Sequence, residues 1–338
     1  MDLFPILGGL IQNLRKVYIL CYYIDINIKI KYMSNKITII GAGMVGSTIA
    51  HSLVMKEIAE EIAIIDINEK LVESQVMDLQ HAVLFVGNVD VHVGNYDDCT
   101  DTDVAVITCG VAQKEGETRL ELVEKNAKII RGIIPKIFEK NPDIILVMVT
   151  NPVDILTKLA IDMFPDKKDQ ILGTGTLLDS ARFRHLIGQK LDINPKSIHA
   201  YILGEHGDSE FPVWSTAAIG NMKLGTCTRL TNSDKKTIFN KVKNAAYTII
   251  EGKQSTYYAI GAGTSYLLHA ILHNKKTVIP VSHLIEGVYG VSDVCLSMPA
   301  IVGNQGIMGR ICIELSEKEQ DGLQKSAEVL KKTYSDIS

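Results

Sequence analysis

A chain of 338 residues is long enough for about two domains and a substantial buried core. Its 46% hydrophobic and 22% charged residues are ordinary proportions for a globular protein. The 35 basic and 39 acidic residues leave a formal net charge of −4 without a long single-sign block, which argues against nucleic acid or a membrane as main partner.

Six cysteines (Cys21, Cys99, Cys109, Cys227, Cys295 and Cys312) lie scattered, with no C-x-x-C pair and no histidines at metal-ligand spacing. They read as free thiols of a reducing cytoplasm, without a metal site. Residues 1–32 carry two apolar runs, FPILGGLI and VYILCYYI, split by QNLRK. Neither run approaches the roughly 18 residues of a membrane-spanning helix, and no small-residue cleavage site precedes Met33. A core strand beginning at Ile37 needs only a short lead-in, so Met33 reads as the natural start and residues 1–32 as an appendage.

The stretch ITIIGAGMVGSTIA (37–50) runs from an apolar strand through Gly41-x-Gly43-x-x-Gly46, with Met44 and Val45 between the last two glycines, into a helical pattern. The first glycine permits a tight strand-to-helix turn, the second lets backbone approach a pyrophosphate, and the third allows close helix packing. Phosphates are expected at the helix N-terminus, where N–H groups and the helix dipole attract anions. A second strand, EIAIID (61–66), ends in Asp66, 20 positions after Gly46. A carboxylate there accepts hydrogen bonds from ribose hydroxyls and repels a 2′-phosphate, so the cofactor expected is NAD rather than NADP. The structural alternative for Asp66 is a turn residue or the N-cap of the following helix.

The runs VAVIT (104–108) and IILVMVT (144–150) lack polar alternation, as parallel strands covered on both faces do. Between them, Leu122, Ile129, Ile130, Ile133 and Ile137 recur at helical spacing. Strand and helix alternate, which predicts a doubly wound parallel sheet with its ligand beyond the strands' carboxyl ends. From two of those ends leave AQKEGETRL (112–120), a polar segment that reads as a lid, and Asn151 in VTNPVD.

Beyond residue 173 the alternation stops. In LLDSARFR, Asp179 and Arg182 stand three apart on a helix and share a face. In GEHGDSE, His206 lies between Gly204 and Gly207, in a loop following a short strand. If Asp179 met His206, it would fix one imidazole tautomer and raise the pKa, as proton transfer requires.

GAGMVG, IID, AQKEGETRL, VTNPVD, LDSARFR and GEHGDSE, in this order and spacing, resemble the lactate/malate dehydrogenases, most nearly the bacterial NAD-dependent L-lactate dehydrogenases. The resemblance covers roughly residues 34–338. It implies a Rossmann-type NAD-binding domain over 33–173 and an α+β substrate domain over 174–338. It implies that His206 exchanges the proton, that Asp179 orients it, and that Arg182 holds the substrate carboxylate. Arg119 would polarise the substrate carbonyl from the lid, and Asn151 would lie near nicotinamide and substrate oxygen. Thr256 and Ile260 match positions lining substrate and nicotinamide. Gln113 would face the methyl of pyruvate, where malate-specific relatives carry arginine. Arg184 and His199 match a fructose 1,6-bisphosphate site between subunits of a homotetramer. Thr174 departs from the serine more common in the family. Malate dehydrogenase, a broader L-2-hydroxyacid dehydrogenase and an inactive NAD-binding protein are the alternatives.

Overall fold

The computed structural model describes residues 35–111, 119–226 and 229–337; the appendage expected over 1–32 lies outside them. The apolar runs form short strands, β1 (Lys36–Ile40), β2 (Glu61–Ile65), β4 (Val104–Ile107) and β5 (Ile145–Met148), and the structure adds β6 (Ile171–Gly173), which was not expected from the sequence. With β3 (Asp90–Val93) they pair in parallel in the order β3-β2-β1-β4-β5-β6. Helices α1 (Met44–Met55), α2 (Glu69–Val83), α3 (Arg119–Lys140) and α4 (Val153–Met163) lie between the strands in sequence. The doubly wound parallel sheet expected from the sequence is present. Its strand order reverses between β1 and β4, the point at which sheets of this kind bind their ligands beyond the strand ends.

The face that α3 buries corrects the expected one. Val123, Ala127, Ile130, Ile134 and Ile137 are buried, whereas Leu122, Ile129 and Ile133 flank that stripe half-buried. A run of isoleucines exceeds the width of one helical stripe, and small Ala127, which the apolar pattern passed over, lies at the stripe's centre.

The second half adds α5 (Leu177–Leu191), β7 (Ile198–Leu203), β8 (Phe211–Ile219), β9 (Met222–Lys223), α6 (Asn232–Lys253) and α7 (Tyr258–Leu272). It ends in β10 (Thr277–Val288), β11 (Val291–Gly303), β12 (Gly306–Arg310) and α8 (Glu317–Ser335). Strands β7, β8 and β9 form their own antiparallel sheet. Strands β10 to β12 instead extend the parallel sheet antiparallel to it, joining β6 through Ser282 and Gly173 to make nine strands. The two sheets touch just before His206, where Gly204 and Ser297 exchange backbone hydrogen bonds of 3.1 and 2.9 Å.

Candidate active site

The glycine-rich turn divides its three glycines between two tasks. Gly41 has φ +115°, and a Cβ there would lie 2.6 Å from the Cys109 nitrogen; a Cβ on Gly46 would lie 1.9 Å from the Gly41 carbonyl oxygen. Both are demanded by packing. Gly43 is exposed, with no atom within 4 Å of an added Cβ, and it N-caps α1 without a side-chain hydrogen bond. Met44 is exposed beside it, and no acid occupies the first turn of α1. Open space at a helix N-terminus with no acid in its first turn suits a pyrophosphate.

Asp66, at the end of β2, accepts the Ala42 N–H at 2.7 Å and the Asn68 N–H at 2.9 Å. It therefore ties the glycine-rich turn to the start of the next loop. The N-cap of α2 is Asn68, which accepts from the Leu71 nitrogen, so the capping alternative for Asp66 is corrected.

Past β5, the Asn151–Pro152 peptide is cis, and Asn151 is exposed. Its carbonyl accepts a 2.8 Å bond from Asn126 on α3, whose side-chain oxygen accepts the Val111 N–H at 2.9 Å. Asn126 thus clamps the end of the β4 loop to the end of the β5 loop. Gln113 and residues 112–118 lie outside the described residues, as does the Arg119 side chain at the start of α3.

The acid–base centre forms where α5 meets the loop after β7. Asp179, in the first turn of α5, is 3% exposed. Its Oδ1 accepts from Arg182 at 2.8 Å and its Oδ2 lies 2.6 Å from His206 Nδ1. The expected i, i+3 pair is therefore no surface ion pair; histidine and arginine share one buried carboxylate. An ionised carboxylate only accepts, so the hydrogen sits on Nδ1 and the exchangeable proton on Nε2. Burial opposes the imidazolium charge, but the attraction and hydrogen bond of Asp179 outweigh it and raise His206 to about 9. Burial likewise opposes the Asp179 charge, and His206 and Arg182 together hold it below the ordinary carboxylate range.

The flanking glycines serve the loop. Gly204 has φ +90° and its Cβ would meet Ser326 Oγ at 2.4 Å, while a Cβ on Gly207 would come within 2.9 Å of Glu205. Two further carboxyls here were quoted within motifs but given no role from sequence. Asp154 on α4 is buried, accepts the His206 backbone N–H at 2.7 Å, and is pushed up to about 6 by burial. Glu210 is buried and pushed to about 8, by burial first and then by the charge of Asp179.

Thr256 lies half-buried just ahead of α7 and Ile260 half-buried in its first turn; the helix packs closely on α1 where Gly261 meets Thr48. Arg184 turns away from Arg182, donates to the Pro195 and Lys196 carbonyls, and with His199 and Lys196 lines a separate cavity of about 730 Å³. Among the described residues, the grouping of histidine and acids with ligand-like spacing is Glu61, His92 and Asp98. The Lys36 ammonium already lies among them, 2.8 Å from Glu61 and 3.3 Å from Asp98, so it forms an ion-pair knot. No helix among the described residues is long and apolar enough to cross a membrane.

Two family models match the chain: the lactate/malate dehydrogenase NAD binding domain over residues 35–173, and the alpha/beta C-terminal domain of the same enzymes over 176–338. An L-lactate dehydrogenase of Clostridium botulinum (strain Loch Maree / Type A3) is 42% identical over 313 residues, spanning 91% of this chain and 98% of the relative. One from Acetivibrio thermocellus is 43% identical over 88% of this chain and 95% of its own length. Among solved structures, a lactate dehydrogenase from a Medee basin deep-sea metagenome library superposes with a TM-score of 0.88 at 37% identity. The minor L-lactate dehydrogenase of Enterococcus mundtii gives 0.88 at 38% identity; each match covers 90% of this chain and 99% of the other.

Proposed function

The chain belongs to the lactate/malate dehydrogenase family, and on that premise we propose that it is an L-lactate dehydrogenase, reducing pyruvate with NADH to L-lactate and NAD+, reversibly. The observation that carries the reading is the single buried Asp179 shared by His206 and Arg182. It puts a proton donor and a carboxylate receptor side by side, the two functions a 2-oxo acid needs. NADH supplies the hydride to the carbonyl carbon when bound, and Gly41, Gly43, Met44, Val45, Gly46 and Asp66 would hold it. His206 Nε2 delivers a proton to the carbonyl oxygen, and the imidazolium–carboxylate pair relaxes to a neutral imidazole beside Asp179. Lactate oxidation runs the same transfers backwards.

Arg182 fastens the substrate carboxylate with parallel N–H groups, a fork that lysine lacks. Arg119 comes down with the lid and polarises the carbonyl; such a donor contributes about 2.7–4 kcal/mol to lowering a barrier once water is excluded. Asn151 lies near the nicotinamide and substrate oxygen, with Thr256 and Ile260 lining the rest. We divide the chain at 173/174 into a cofactor half and a substrate half, and assign it to the cytoplasm as a homotetramer. The cavity bearing Arg184 and His199 supports binding of fructose 1,6-bisphosphate, since clustered cations repel until a bis-anion neutralises them.

Gln113 decides lactate over malate in this reading. A neutral amide tolerates a methyl group, whereas the second carboxylate of oxaloacetate would be buried unpaired, at a cost of several kcal/mol. Initial rates of NADH oxidation with pyruvate, oxaloacetate and a branched 2-oxo acid test it. Pyruvate should have the highest kcat/KM, and Gln113→Arg should move the preference towards oxaloacetate. A wild-type preference for oxaloacetate would overturn the assignment.

A further inference from the structure

His206 is gripped by two carboxylates, one at its ring and one at its main chain. Asp179 takes the imidazole, and Asp154 takes the backbone N–H at 2.7 Å. The second grip is chemically expensive for what it holds. A backbone N–H is satisfied by any neutral carbonyl, and a carboxylate that is 2% exposed costs free energy to ionise. The other oxygen of Asp154 makes no hydrogen bond of ordinary geometry among the described residues, and the Ser282 hydroxyl is the neighbouring group that acts on it. Asp154 also lines a cavity of about 300 Å³ together with Lys158, Asp162, Asp293, Cys295 and Tyr334, and neither His206 nor Asp179 reaches that cavity. Asp154 therefore forms the wall between the proton-transfer centre and a separate pocket.

We propose that Asp154 is a positioning residue for His206, fixing the loop through the backbone N–H while its negative charge, buried behind the imidazole, helps keep His206 protonated. This rests on the reading of His206 as proton donor. The charges around the site leave room for that effect. Asp179 on α5, itself paired with Arg182, acts most strongly on the ring, Glu210 of the same loop acts in the same direction, and Glu205 acts on Asp154. On the cavity side, the Lys158 ammonium is engaged by Asp162 at 2.6 Å and by Asp293 of β11 at 2.9 Å; Cys295 and, on α8, Lys331 and Tyr334 complete the wall. Burial raises Asp154 to about 6, with the neighbouring Ser282 hydroxyl and the His206 N–H pulling it back. The group is thus charged where the enzyme would work and neutral in mild acid.

Titration of the His206 ring by NMR tests this on the full chain, labelled with carbon-13 at histidine Cε1 and assigned with His206→Gln. Asp154→Asn keeps the shape and an oxygen for the N–H but removes the charge. The His206 pKa should fall by roughly half a unit or more in this variant. Stability gives a second sign. A carboxyl whose folded pKa is raised costs stability progressively as pH climbs from its unfolded value of about 3.9 towards the folded one. Asp154→Asn should therefore lose no thermal stability at pH 8 relative to wild type, where a merely structural carboxylate would be missed. In the wild type but not in Asp154→Asn, the His206 resonance should carry an inflection near pH 6 from Asp154, distinct from the influence of Glu210 near pH 8. A His206 titration unmoved in Asp154→Asn, or, should the variant fail to fold, a wild-type resonance with no inflection near pH 6, would overturn the proposal. Neither readout uses pyruvate or NADH, so a wild type that fails to reduce pyruvate would sink the functional reading separately.

Discussion

Asp179 divides its two oxygens between Arg182 and His206, and both partners depend on its remaining charged. Asp179→Asn keeps the shape, removes the ion pair, and permits the amide to present N–H to the ring, which selects the wrong tautomer. The His206 pKa should then fall towards the ordinary histidine value of about 6.5, and kcat/KM for pyruvate at pH 8 should drop by at least about tenfold. An unchanged value would show that the pair does not serve proton transfer. The same pair links stability to pH. Because the folded pKa of His206 is raised, its contribution is full below about pH 6.5 and is lost as pH climbs through about 9. Much of this was legible in the sequence. Spacing of three on a helix joins Asp179 to Arg182, but a separation of 27 positions between Asp179 and His206 hides their contact, which only folding creates. Asp154 and Glu210 were hidden for a different reason. A carboxylate in a loop motif reads as solvated until burial is known, and burial is what shifts them.

At the level of elements, β1, β2, β4 and β5 announced themselves through apolar, largely β-branched runs, while the short β3 and β6, the C-terminal antiparallel strands and their junction with β6 did not. That junction rests on a single residue pair, Ser282 with Gly173, far apart in sequence. The bracing by α8 was equally silent. Ser326 donates to the Ser209 carbonyl at 2.6 Å and accepts the Glu205 N–H at 3.3 Å, so the last helix pins both sides of His206. Glu319, at the start of the same helix, accepts the N–H groups of Trp214 and Ser215 at 2.8 and 3.0 Å and pins β8. Serine and glutamate on an amphipathic helix look like ordinary surface residues, so no periodicity reveals them. Ser326→Ala should cost about 1–3 kcal/mol in denaturant unfolding, because it leaves buried loop groups unsatisfied. It should also lower kcat for pyruvate more than it raises KM, since the His206 loop is loosened while Arg182 is untouched. A variant with wild-type stability and kcat would show that α8 only covers the loop.

For the whole molecule, the regulatory reading follows from where the fold sends Arg184. Two residues on from Arg182, it leaves the acid–base centre and reaches the cavity shared with His199. Arg184→Gln should abolish activation by fructose 1,6-bisphosphate while leaving the basal rate intact. A wild type indifferent to the sugar bisphosphate at every pH would remove this part of the account. The central claim is broader: the assembled fold brings α5, the β7 loop and α4 together so that His206 stays protonated well above its ordinary range and supplies the proton to pyruvate. The most direct test is kcat/KM for pyruvate reduction by the intact wild-type enzyme as a function of pH. The profile should hold level above neutrality and then fall about tenfold per pH unit beyond about 9. A fall beginning near pH 6.5, or no fall through pH 10, would mean that the buried pair does not hold the proton that the reaction consumes.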